Sequence, residues 1–160
     1  MPGVYDASGI CRFLRLFSDT AVCYYEYMAD PLPHIHVACA VIRHNGKILA
    51  TQRSESMLLP LKWEFPGGKL EPGESPRDCL QRELHEELGI TVHIGEGLSP
   101  VTHHYPYAII TLHPFWCDQP QGQLTLYEHC ASCWLPPQEL SQLDWADADL
   151  PIIAQLERAA

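Results

Sequence analysis

Positive charge is scarce in this 160-residue chain: ten Lys and Arg stand against twenty Asp and Glu, a formal net charge of −10. A surface of that sign repels polyanions, so polymeric nucleic acid is not expected as a partner. A small phosphate ester is not ruled out, because a bound divalent cation inverts the local field. Long apolar runs are missing as well. Nothing approaches the ~20 consecutive apolar residues of a membrane span, so no membrane partner is expected. Near the start, Arg12 and Arg15 interrupt the single apolar run and no small-residue cleavage site follows, so no secretory signal is read there. Paired cysteines are lacking too. The chain has seven cysteines, an odd number scattered through apparent core segments, which suits reduced thiols in a cytoplasmic protein. Cys130 and Cys133 have the spacing of a metal motif, but no second CxxC exists to complete a zinc site. Strand-like alternation in EHCASCWL would put the two on opposite faces, and buried thiols are expected there. Repeats and low-complexity tracts are absent.

What remains is an ordinary globular composition, 46% hydrophobic, in a chain long enough for one domain with a substantial core. Residues 1–33 are aromatic and irregular, and read as an N-terminal extension, either flexible or absent from the native product. Met28, just ahead of ADPLPH, is an alternative initiator. The compact domain is expected over residues 34–160. HVACAVIRH and KILATQR are strand-like, with the hairpin signal Asn45-Gly46 between them. KWEFPGG reads as a short strand entering a glycine turn. Ser75-Pro76 and Gly89 bracket a helix of three to four turns. ITVHIGE, SPVTHHY, YAIITLHPFW and CASCWL read as further strands, Pro136-Pro137 as the start of a short turn or helix, and DLPIIAQLERAA as a closing amphipathic helix. Hairpins alternating with helical connections predict an α/β domain with a mixed sheet.

The bracketed helix poses an electrostatic problem. RELHEELG places Glu83, Glu86 and Glu87 within a ~100° arc of its last turns, where the helix dipole is negative and acids three or four apart repel. Leu80, Leu84 and Leu88 form the neighbouring stripe that anchors the helix. A solvated acidic face is the plain alternative, but a glycine-rich turn, PGGKLEPGE, precedes these acids, and Gly67 and Gly68 permit close backbone approach. Hard oxygen ligands around Mg²⁺ would convert repulsion into coordination, for metal-assisted attack of water on a phosphoanhydride. Without metal, the helix end is expected to be strained or mobile.

GKLEPGESPRDCLQRELHEELGI resembles the Nudix box, G-x5-E-x7-R-E-U-x-E-E-x-G-U with U bulky and apolar. Gly68, Glu74, Arg82, Glu83, Leu84, Glu86, Glu87, Gly89 and Ile90 fill all nine fixed positions over 23 residues. The similarity runs from about His36 to Leu156 through ATQR, WEFPGGK, TLHPFW and DADLPII, and is nearest the MutT-like and CTP-pyrophosphohydrolase branches. It implies an α-β-α sandwich with a mixed β-sheet and the Nudix loop-helix-loop.

The resemblance also implies roles. Glu83, Glu86 and Glu87, with the carbonyl of Gly68, would hold Mg²⁺, or Mn²⁺ as a substitute, and Arg82 would orient Glu83. Glu74 would stabilise the loop–helix junction. Glu128, six residues before Trp134 on a late strand, would add a metal ligand or take the proton from water; an ordinary solvent-facing strand glutamate is the alternative. The general base is Glu83 or its rival Glu128. Arg53 and Lys69 would contact the nucleotide, or be solvated cations. Phe65 would line the base pocket, or belong to the core. Asp149 stands where MutT-type relatives carry a base-reading residue. Ionised, it favours a base with an exocyclic amine such as cytosine; protonated, it can donate to a purine carbonyl; it also suits a helix N-cap. The histidine pairs His34/His36 and His103/His104 are expected at the surface or a pocket rim, since a hard Mg²⁺ site prefers oxygen. The implied activity is Mg-dependent hydrolysis of a nucleoside triphosphate to the monophosphate and pyrophosphate in the cytoplasm, by a monomer or homodimer. The substrate would be (d)CTP or a modified pyrimidine nucleotide, with 8-oxo-dGTP, and hence nucleotide-pool sanitation and DNA repair, as the alternative. ADP-ribose or dinucleoside polyphosphates stand further back, and a non-catalytic nucleotide-binding domain is the rival class.

Overall fold

The computed structural model describes residues 31–159, together with Val4–Tyr5 and Cys11–Arg12. These two short strands, β1 and β2, pair antiparallel in a unit distinct from Leu32–Ala160. Met28 lies outside the described residues.

The larger unit opens with the expected hairpin. β3 (His34–His44) and β4 (Lys47–Gln52) meet antiparallel at Arg43↔Ile48 and His44↔Lys47. Asn45 and Gly46 turn the chain with φ of 50° and 74°, the two positive angles of a type I′ turn, whose twist matches that of the strands. Then come β5 (Trp63–Glu64), β6 (Gly67–Lys69), α1 (Pro76–Leu88), β7 (Thr91–Gly97), β8 (Val101–Tyr105) and β9 (Ala108–Gln121). β10 (Ala131–Leu135), a 3₁₀ turn over Pro137–Gln142 and α2 (Leu150–Ala159) complete it. The sheet runs β10-β4-β3-β9-β7, with β5 on β4, β6 on β3 and β8 on β9. β3 and β9 are parallel, and the other pairs are antiparallel, so the sheet is mixed as expected.

Successive residues of β3 point to opposite faces, and each face has its own core. Ala38, Ala40 and Ile42 meet Leu80, Leu84 and Leu88 of α1. Cys39 and Val41 belong to the other core with Ile152, Ile153 and Leu156 of α2, plus Leu140 and Trp145. This is the α-β-α sandwich. The three α1 leucines are wholly or almost wholly buried, each contributing about 1.5–3 kcal/mol relative to exposure. No helix among the described residues is long and apolar enough to cross a membrane.

α1 begins and ends where its punctuation places it. The Ser75 hydroxyl accepts from the Asp78 N–H at 3.2 Å and Pro76 occupies the first turn. Gly89 adopts the left-handed conformation (φ 66°), and its N–H donates to His85 O while Ile90 N–H donates to Leu84 O. The last turn is thus regular and capped, without the strain that is one of the two expectations for it.

Three further expectations need correction. The PGGK segment is a strand, not simply a turn: Gly67–Lys69 ladders onto β3, with Cys39↔Gly67 and Ala38↔Gly68 as partners. Cys130 is exposed, because it sits one residue before β10, where the chain is still leaving the loop; its thiol lies 3.3 Å from Arg53 O. Cys133 is half-buried, while Cys39, Cys79 and Cys117 are buried. Glu128 also precedes β10, so it belongs to the preceding loop and not to a strand.

Gly67 shows how tightly the turn is built. A Cβ there would stand 2.0 Å from Ala38 O and 2.7 Å from Cys39 Cα, at φ 152°. Both obstacles are backbone and cannot move without breaking the β3–β6 ladder. Gly67→Ala is expected to destabilise the domain by more than about 2 kcal/mol, read as a lower urea midpoint with an unchanged m-value.

Candidate active site

The acid-bearing face of α1 meets two other segments. The strap after β9 runs along the end of the helix, where Tyr127 N–H donates to Glu87 O and Thr125 N–H to Leu88 O. Those bonds satisfy carbonyls that a helix end leaves without partners. The strap then delivers Glu128 and His129. From the sheet, β5 brings Glu64, paired through its backbone with Thr51 of β4.

Arg82 resolves much of the expected repulsion. Its guanidinium makes a two-pronged contact with Glu74, Nε to Oε1 and Nη2 to Oε2, both 2.9 Å. Nη1 donates to Glu83 Oε1 at 2.8 Å and to Glu86 Oε2 at 3.3 Å. Glu74 also accepts from the Glu71 N–H. The Arg82 bonds, reinforced by the Glu71 amide, hold the Glu74 carboxyl down at about 2. The same partners, Glu74 before Glu83, raise Arg82. Glu74 thus ties the loop to the helix. Glu83 packs against Gly68 so closely that a Cβ on that glycine would meet Glu83 Cδ at 2.0 Å.

Glu87 has no such relief. It is 7% exposed, and its Oε2 is buried without a hydrogen-bond partner. Burial first, then the charges of Glu83, Glu128 and Glu64, push its carboxyl up to about 8. Among the described residues no three His, Cys, Asp or Glu side chains are gathered closely enough to hold an ion. The reason is visible: Arg82 draws Glu83 and Glu86 onto its own guanidinium. The donor chemistry nevertheless fits a hard cation. Four carboxylates share one field, one has a buried orphan oxygen, and the carbonyl of Gly68, a β6 ladder residue opposite Ala38, lies beside them at 3.4 Å from the Cys79 thiol.

On the sheet side of the cluster, Arg53 is no solvated cation. Its Nη1 donates to Glu64 Oε2, its Nε to Leu58 O, and its side chain is 19% exposed. The other Glu64 oxygen contacts His129 Nε2 at 2.9 Å. Glu64 and His129 were not singled out by the sequence reading, although WEFPGGK contains the first and EHCASCW the second. A carboxylate two residues before the Pro66-Gly67-Gly68 turn is the available signal for Glu64; a buried histidine has none. Phe65 is buried in the core, its ring 4.7 Å from that of Trp145, as the core alternative has it. Lys69 is exposed at the end of β6.

Asp149 sits at the start of α2, but its side chain does not cap that helix. Its Oδ1 accepts from the Phe65 N–H at 3.1 Å, while Ile152 and Ile153 N–H bond to its backbone carbonyl. The carboxyl is buried, and burial, then the Glu64 charge, raises it well above the usual carboxylate range. The histidines lie where expected: His34 and His36 line an open cleft of about 500 Å³ with Lys69 and Glu71, and His104 is exposed.

A family model described as NUDIX domain matches residues 32–156. The CTP pyrophosphohydrolase of Escherichia coli (strain K12) is 41% identical over 119 residues, covering 74% of this chain and 88% of that protein. An 8-oxo-dGTP diphosphatase of the same organism is 33% identical over 125 residues, covering 78% and 97%. Among solved structures, the solution structure of the E. coli ORF135 protein superposes with a TM-score of 0.69 at 40% identity, covering 77% of this chain and 88% of that one.

Proposed function

This chain belongs to the Nudix hydrolase family, and on that premise we propose that it cleaves a nucleoside triphosphate to the monophosphate and pyrophosphate with Mg²⁺, for which Mn²⁺ substitutes. The observation that carries the reading is Glu87, a buried carboxyl with an orphan oxygen in the field of Glu83, Glu128 and Glu64. A binding module gains nothing from such a cluster, whereas a cation there gives each acid a partner.

In this reading Glu83, Glu86, Glu87 and Glu128 would hold the ion with the Gly68 carbonyl. When bound, the ion polarises the phosphoanhydride and lowers the pKa of water. Glu83, or Glu128 in its place, takes the proton from the attacking water. Arg82 orients Glu83 through the 2.8 Å contact and keeps Glu86 near it. Arg53, already fixed by Glu64, presents its guanidinium to the nucleotide, and Lys69 offsets triphosphate charge from the end of β6. Phe65 contributes its backbone N–H, which orients Asp149. The catalytic domain spans residues 34–160, with residues 1–33 an extension outside it. The division of the chain at Pro31–Leu32 and the family match from residue 32 support that placement. A cytoplasmic location and a small-molecule nucleotide as the partner follow from the same reading.

For the base, (d)CTP or a modified pyrimidine nucleotide is favoured, since an ionised Asp149 accepts from the cytosine amine; the 41% identical CTP pyrophosphohydrolase supports it. One observation favours 8-oxo-dGTP as a second reading. Burial raises Asp149, and a protonated carboxyl can donate to an oxopurine carbonyl. A panel of CTP, dCTP, 5-substituted dCTP and 8-oxo-dGTP, compared by kcat/KM for pyrophosphate release, decides between them. Asp149→Asn should lower kcat/KM for the cytosine nucleotides roughly 10- to 100-fold relative to 8-oxo-dGTP. Failure of wild-type protein with Mg²⁺ to release pyrophosphate from any of the four would overturn the proposed activity.

A further inference from the structure

We infer that His129 is a positioning residue for nucleotide binding: it holds Glu64, and through Glu64 it holds Arg53. The inference rests on the proposed triphosphate hydrolysis and names a residue to which that reading gives no part.

The geometry is a three-residue chain drawn from separate segments. His129 Nε2 contacts Glu64 Oε1 at 2.9 Å, and Glu64 Oε2 accepts from Arg53 Nη1. Arg53 is at the far side of this chain, on the loop after β4, where its Nε also donates to Leu58 O. Two of its nitrogens are thereby committed, and Nη2 is left without a protein partner among the described residues. A guanidinium pinned on two edges keeps its plane, and its remaining edge is available for a phosphate or a base carbonyl without further ordering cost.

His129 itself is expensive if its job is only to fill space. Its side chain is 1% exposed and its Nδ1 is buried without a partner. A phenylalanine or leucine would fill the site with no stranded nitrogen, and a stranded polar atom weakens the fold. What the imidazole adds is the bond to Glu64. With the proton on Nε2, the ring donates to the carboxylate and leaves only a bare lone pair at Nδ1. Glu64 shares its surroundings with two further carboxyls, Glu87 and Asp149, on both of which its charge bears, so its placement matters beyond Arg53. Released from His129, Glu64 would be held by Arg53 alone, and Arg53 would move with it.

The test separates positioning from packing. His129→Phe should raise the nucleotide KM roughly tenfold, in line with the loss of a charge-assisted bond, with kcat within about twofold of wild type. His129→Gln, whose amide N–H reaches the position of Nε2, should recover most of the loss. His129→Asn, too short to reach Glu64, should behave like phenylalanine, and it serves in its place should phenylalanine prevent folding. In a Glu64→Gln background the His129 substitutions should add little. An unchanged KM in both the Phe and Asn variants, a loss confined to kcat, or a Gln variant no better than Asn would each overturn the inference. A readout independent of turnover keeps this apart from the parent reading. In ¹⁵N spectra of the whole chain, the Arg53 Nε–H resonance should shift and exchange faster in His129→Asn but not in His129→Gln. An unmoved resonance in His129→Asn overturns the positioning role even if no triphosphate is hydrolysed.

Discussion

Glu86→Gln is expected to lower kcat for pyrophosphate release by at least a hundredfold, with the melting temperature of the metal-free protein essentially unchanged. Glu86 is the clean place to test the carboxylate set because the fold barely uses it. Its side chain is 59% exposed, and its contact is the 3.3 Å approach of Arg82, four residues back on the same helix. An exposed pair of that kind contributes about 0.3–0.5 kcal/mol at most. Glutamine keeps the length and the oxygen that Arg82 touches but removes the charge. A metal ligand or an acid–base group is worth roughly 10²–10⁴ in rate, which sets the size of the loss. Glu83 is less suited, since it packs on Gly68 and bonds Arg82, and its replacement would disturb the loop as well. Turnover should be followed at saturating Mg²⁺ so that weakened affinity is not mistaken for lost chemistry. Normal kcat in this variant would remove Glu86 from the site.

The second large effect is on stability and has a defined sign. Glu87 is pushed up to about 8 in the folded protein, from an ordinary value of 4.5. Between those values the native state keeps a proton that the unfolded state has released. Stability should therefore fall as pH rises through this window, the reverse of a salt-bridged carboxylate. Metal-free protein should lose at least about 2 kcal/mol between pH 5.5 and 8.5, or roughly 4–8 °C in Tm for a domain of this size. Glu74, held at about 2, is ionised in both states across that range and does not contribute to the slope. Asp149, raised by burial, adds to it in the same direction. Glu87→Gln should flatten most of the slope, and the variant should melt above wild type at pH 8.5. Added Mg²⁺ should raise the wild-type Tm most at pH 8.5, where the cation gives the ionised carboxylate a partner, and should do little for Glu87→Gln. Wild-type Tm that is flat, or that rises from pH 5.5 to 8.5 in chelator, would mean that Glu87 is not the buried, proton-holding acid described above.

The same helix shows which properties are local. The Ser75 cap, Pro76 in the first turn, the Gly89 stop and the leucine stripe are short-range signals. Each depends on φ, ψ or a contact within four residues, and each is found where its residue type predicts. The Asn45-Gly46 hairpin belongs with them, since two positive φ angles select its residues. The mixed sheet and the two-faced core follow from patterning that the strands and helices display in order. The nine-point box identified the family for a related reason, because its acids and glycines lie within 23 consecutive residues.

What the sequence by itself determined, then, is most of the elements, the caps of α1 and the family. Tertiary structure alone decided the state of each charged group. Arg82 could have paired with any nearby acid; the loop geometry gives it Glu74, with Glu83 and Glu86 at its other edge. Asp149 looked like a helix cap, but its carboxyl went to the Phe65 N–H, 84 residues away in the chain. Glu64 and His129, 65 residues apart, carried no mark of their pairing. Helix spacing would have Glu87 repel its neighbours in a strained last turn; burial instead shifts its protonation and leaves the helix regular. Conformational preferences act over a few residues and are written in residue type. Desolvation and Coulomb interactions depend on which distant segments exclude water and bring charge near, and only the folded chain specifies that.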